Sequence, residues 1–110
     1  MKKIIITLVS TLSLLLILTA CGTKKPDYTA STAESALNAG KSIDGKTVQF
    51  KVNKLEPSSA FGYNMQTGKH LNITNTDNPK VKVGETVTIK VKTTKSVLGS
   101  WIISYTDLKK

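Results

Sequence analysis

Apolar side chains follow three successive rules along this chain. From Ile4 to Leu18 they form a nearly unbroken run, interrupted only by Thr7, Ser10, Thr11 and Ser13. From Gly22 to Ala30 there is no apolar period, and Pro26 breaks the stretch, which predicts a flexible tether. Periodicity returns at Ser31, first helical and then strand-like. Ser31-Thr32-Ala33-Glu34 fits a capping box, Ala33, Ala36 and Leu37 fall on one helical face, and Gly40 supplies a stop. So thin a stripe predicts a short helix that leans on a sheet and seals one end of its core.

Beyond the helix the pattern has period two. Val48, Phe50 and Val52 alternate with Thr47, Gln49, Lys51 and Asn53, the signature of a half-buried strand. Pro57-Ser58-Ser59 breaks it. Phe61, Tyr63 and Met65 then alternate with Gly62 and Asn64 up to a turn at Gln66 to Lys69, and Leu71 and Ile73 carry the returning strand of a hairpin. After a turn at Val83-Gly84-Glu85, Val87, Ile89 and Val91 alternate with Thr86, Thr88, Lys90 and Lys92. A loop from Thr93 to Gly99 leads into Trp101 to Tyr105, where both faces are largely apolar and are expected to be covered. Five strands in a small domain suit closure, which removes exposed edges. The fold expected is mainly β, a five-stranded OB-type barrel with one short N-terminal helix; an open meander with the helix packed across it is the alternative.

The opening run changes the picture from fold to address. Lys2-Lys3 precedes it, small residues and a cysteine follow it, and its fifteen residues fall short of the ~20 that span a bilayer core, so it reads as a cleaved export signal. Leu18-Thr19-Ala20-Cys21 resembles the lipobox of bacterial lipoproteins. That resemblance implies a signal peptide over 1–20 and a diacylglycerol-modified, acylated Cys21. With that cut, the polar stretch gives a tether over 21–30 and the periodic remainder a domain over 31–110, and the lipid would hold that domain at the extracytoplasmic face of the cell membrane. It also accounts for the lone cysteine, otherwise an exposed thiol in an oxidising compartment.

Charge narrows the partners. The chain has 16 basic residues, all lysine, against 7 acids; without Lys2 and Lys3 the balance falls from +9 to +7. Lysine offers a mobile point charge in place of the planar fork that arginine uses to read phosphates and bases, so the basicity suits diffuse attraction. An envelope protein or an anionic wall polymer fits this better than nucleic acid, which is disfavoured by the extracytoplasmic address.

Several segments resemble the small OB-fold lipoproteins of Gram-positive bacteria, grouped with the tRNA-anticodon-binding type of OB domain. They are Ala39-Gly40-Lys41, Gly45 to Val52, Phe61-Gly62-Tyr63-Asn64, Val83 to Ile89 and Leu98 to Ile103. The resemblance implies the barrel but no assigned activity. It also implies a ligand face built on the second and third strands and adjoining loops, drawing on Phe61, Tyr63 and His70, with Lys51, Lys90 and Lys92 on the solvent side of neighbouring strands. Phe61 and Tyr63 share their period with Met65, and such a stripe is more often core than platform.

Catalytic patterns are missing from the sequence. One histidine and one cysteine cannot supply a zinc site, no Gly-x-Ser-x-Gly elbow or Gly-rich phosphate loop occurs, and the acids are spread singly. No catalytic residue, metal ligand or cofactor is expected. The reading is a non-catalytic binding module at the envelope; the alternatives are an accessory factor acting by protein contact on a membrane machine for DNA entry, conjugation or export, and a weak nucleic-acid or polyanion binder.

Overall fold

The computed structural model describes residues 25–110; the leader, the lipobox and Cys21 lie outside them. In chain order the elements are β1 (Tyr28–Thr29), α1 (Ala30–Asn38), β2 (Thr47–Lys51), β3 (Lys54–Ser59), β4 (Gly62–Thr67), β5 (Leu71–Asn75), β6 (Thr86–Val97) and β7 (Ser100–Lys109). The seven strands form one mixed sheet in the order β1-β2-β6-β7-β5-β4-β3. β1 pairs with β2 and β5 with β7 in parallel, and the other neighbours are antiparallel.

The alternating positions point as their pattern requires. Val48, Phe50, Val52, Val87, Ile89 and Val91 are buried, with Ile43, Met65, Leu71, Ile73 and Ile103 completing the core. Ile102 is buried as well, so β7 is covered on both faces around Ile102 and Ile103. α1 contributes Ala33, Ala36 and Leu37 to the same cluster.

The mainly β architecture with one helix is observed, but the five-stranded closed barrel is corrected to a seven-stranded mixed sheet. Two local causes add the strands. At Val52–Asn53 the run that began at Thr47 bends: Val52 N–H donates to Glu85 O (2.9 Å), whereas Asn53 N–H donates to Gln66 O (2.9 Å). The chain thus leaves β6 and joins β4, and one run becomes β2 and β3. Pro57 is tolerated in β3 because β3 is an edge strand, where a missing donor costs no ladder bond. The second cause is Tyr28–Thr29, which pairs with Val48–Gln49 inside the stretch expected as tether.

Two boundaries also move. The helix cap is Thr29, not Ser31: the Thr29 hydroxyl accepts from Thr32 N–H and the Thr32 hydroxyl from Thr29 N–H, a reciprocal box three residues apart. The expected loop from Thr93 belongs to β6 as far as Val97, since its polar residues pair with Ser100 to Ser104 of β7.

Candidate functional site

Cross-strand pairing assembles a polar face on the outside of β2, β6 and β7. Thr47 lies opposite Lys90 and Lys90 opposite Asp107; Gln49 lies opposite Thr88 and Thr88 opposite Lys109. Because these residues alternate with the buried valines and isoleucines, they share the solvent side. The chain before β1 closes one flank. Asp27 Oδ2 accepts from Thr47 N–H (2.9 Å) and from the Thr47 hydroxyl (3.3 Å), and Asp27 N–H donates to Thr47 Oγ1 (2.9 Å). Between that segment and the face is an open cleft of about 400 Å³, into whose lining Lys25, Lys90 and Lys109 bring cations and Gln49, Thr88 and Asp107 other polar groups.

The six residues expected on one ligand face fall on different parts of the sheet. Lys90 lines the cleft, and Lys51 sits opposite Thr86 at the far end of β2. Lys92 lies at a bulge, where the β6–β7 register passes from Val91↔Tyr105 to Thr93↔Ser104 and leaves it out. Phe61, Tyr63 and His70 belong instead to the β3–β4 and β4–β5 hairpins. Tyr63 is half-buried. Phe61 is 38% exposed, with Lys95 Nζ 5.3 Å from its ring centroid. His70 is exposed in the β4–β5 turn, with Nδ1 3.4 Å from Glu34 Oε2.

Glu34, read from sequence as a helix cap, has a different role. The residue is buried at 7% exposure, and its carboxylate accepts from the backbone N–H groups of Lys69 (2.9 Å) and His70 (3.0 Å), tying α1 to the β4–β5 turn. Gly68 makes room for it: with φ +58°, a Cβ there would come within 2.6 Å of Glu34 Oε1. Trp101 Nε1–H donates to Asn38 Oδ1 (2.9 Å) and ties the end of α1 to β7.

A second cleft, about 280 Å³, lies beside that turn and is lined by Asn53, Lys54, Gln66, Lys69, His70 and Asn72, among others. Next to it Asn64 Nδ2 donates to Asn72 Oδ1 (3.0 Å), while Asn64 Oδ1 is buried without a partner. The strand pattern marks Asn64 only as an outward position, so its burial could not be read from the sequence. Tyr105 is buried on β7, and burial, reinforced by the charge of Asp77, raises its phenol above the ordinary value.

No family model matches this chain, and no curated protein or solved structure does either. Its chemistry therefore has to be read from its own residues. Among the described residues no group of three or more His, Cys, Asp or Glu is placed to hold a metal ion. No helix among them is long and apolar enough to cross a membrane. What the arrangement can do is hold a ligand by lysine charge and by the hydroxyls and amides between the lysines.

Proposed function

We propose that the protein is a lipid-anchored, extracytoplasmic and non-catalytic binding module of OB type, which uses the β2–β6–β7 face to hold an anionic polymer of the cell envelope. The strand order supports the OB reading. Taken as one bent strand, β2 and β3 leave five long strands, and the bent one flanks both β4 and β6, as in a partly open Greek-key barrel. The anchor rests on Leu18-Thr19-Ala20-Cys21 in the sequence.

The observation that carries the ligand assignment is the cleft holding Lys25, Lys90 and Lys109. Lys25 lies four residues after Cys21, a span of at most ~14 Å, so a Cys21 anchor would hold this cleft close to the bilayer. A phosphate-bearing polymer would meet the lysines as point charges and the hydroxyl and amide side chains as hydrogen-bond partners. Asp27 and Asp107 stand among those lysines, and this interleaving favours a second reading, contact with a protein of mixed charge.

The anchor is tested by feeding cells a radioactive fatty acid and comparing the wild-type chain with Cys21→Ala. Label should be lost and membrane retention reduced in the variant; equal label in the two would overturn the lipoprotein reading.

A further inference from the structure

The β6–β7 hairpin ends in a residue that neither local geometry nor folding favours. The two residues between Val97 and Ser100 are Leu98 and Gly99, with φ +50° and +82°. Two positive φ angles in a two-residue loop define the type of turn in which Asn-Gly is the usual choice, because asparagine tolerates the left-handed region and leucine does not. Leu98 is moreover 101% exposed, so its side chain touches nothing that would offset the unfavourable backbone. A strained, wholly solvated leucine at the tip of the longest hairpin is a display position.

Its surroundings indicate what it is displayed to. Lys95 lies three residues before it and holds its ammonium over the Phe61 ring, so a second exposed apolar side chain stands beside the cation. Farther along β6 lie Lys92 and Lys90, both exposed. The outward side of β6 therefore runs from lysines to an apolar tip, the order in which a side chain meets phosphate headgroups and then the acyl boundary. An acidic rim would repel such a surface; from Lys92 to Tyr105 the hairpin carries no acid, and Asp107 lies opposite Lys90, at the end of β6 away from the tip.

We infer that the tip of this hairpin is a membrane-contact device, with Leu98 entering the interface of an anionic lipid bilayer while Lys95 and Lys92 engage its phosphates. This is a second contact with the membrane, separate in the chain from Cys21, and it rests on the extracytoplasmic membrane location proposed above. It fixes the orientation of the domain at the bilayer, which a one-point tether leaves free.

The test uses the full chain carrying Leu98→Trp in a Trp101→Phe background, which leaves position 98 as the one tryptophan. The probe is phosphatidylcholine vesicles with and without phosphatidylglycerol, made with brominated acyl chains. Tryptophan emission at 98 should shift to the blue and be quenched by the brominated lipid, and protection from iodide should appear only with phosphatidylglycerol present. Emission that stays red and open to iodide overturns the inference. So does a blue shift without lipid that grows with protein concentration, which would mean that a second copy covers the tip. Equal quenching in neutral vesicles overturns the role given to the lysines.

If the Trp101→Phe background fails to fold, a nitroxide on Leu98→Cys in a full chain carrying Cys21→Ser replaces it. Greater accessibility to oxygen than to a water-soluble nickel chelate is then expected, and the reverse overturns the inference. The fatty-acid labelling of Cys21 is read separately. A water-exposed tip with Cys21 labelled refutes the tip alone, and a buried tip with Cys21 unlabelled refutes the anchor alone.

Discussion

At the scale of single residues, Leu98 and Tyr105 illustrate opposite costs. Leu98 occupies a left-handed backbone with nothing packed against it, so Leu98→Asn should stabilise the fold. The strain relieved is about 1 kcal/mol, seen as a higher denaturant midpoint with an unchanged slope. A destabilised variant would mean that leucine is held there by contacts within the chain. Tyr105 is favoured in its neutral form, since burial and the nearby Asp77 raise its phenol above its unfolded value. The folded state then keeps a proton that the unfolded state releases. The associated stability is present in full below about pH 10, the ordinary tyrosine value, and is lost as pH rises through the folded-state value. Unfolding at stepped pH should show that alkaline decline in the wild type, and Tyr105→Phe should remove the part due to this phenol.

Among the elements, α1 is the one least able to stand alone. Its nine residues carry three small or medium apolar contacts, so its position depends on Glu34 at the β4–β5 turn and on Asn38 at Trp101. Glu34→Ala strips two part-buried backbone donors of their acceptor and should cost about 1–3 kcal/mol in chemical unfolding. Glu34→Gln, which keeps one carbonyl acceptor, should lose less. If both variants melt like the wild type, the turn does not need this side chain. Gly68 belongs to the same unit: any Cβ there both takes an unfavourable φ and meets Glu34 Oε1 at 2.6 Å.

For the molecule as a whole, charge and architecture act together. A chain with 16 lysines and 7 acids attracts polyanions diffusely, and the sheet adds a defined place by setting Lys90 and Lys109 beside Lys25. Binding to a glycerol-phosphate polymer should therefore weaken steeply as salt rises. Replacing both Lys90 and Lys109 by alanine should remove roughly 1 kcal/mol per lysine at low salt, read by calorimetry or sedimentation. Binding that survives high salt and both substitutions would point to protein contact through the mixed-charge cleft.

The alternation of Val48, Phe50 and Val52, and again of Val87, Ile89 and Val91, set by sequence alone which side of each strand is core, because the two-residue period admits one face per parity. The helical spacing of Ala33, Ala36 and Leu37 likewise marked the face of α1 that packs. The basic character and the absence of recognisable catalytic motifs could be read in the same way. What only the tertiary structure decided depends on groups far apart in the chain. The change of partner at Val52–Asn53 turns on backbone hydrogen bonds to Glu85 and Gln66, which no local pattern encodes. Glu34 looked like a cap because Ser31 precedes it by three, yet its acceptors are taken by N–H groups 35 and 36 residues away. The separation of Lys90 from Phe61, Tyr63 and His70 follows from the strand order, whereas Lys51, at the bend from β2 to β3, keeps its backbone beside the end of β4, where its carbonyl accepts from the Thr67 hydroxyl (2.8 Å). Parity can place a side chain inside or outside the sheet, but only the pairing of strands decides which outward side chains become neighbours.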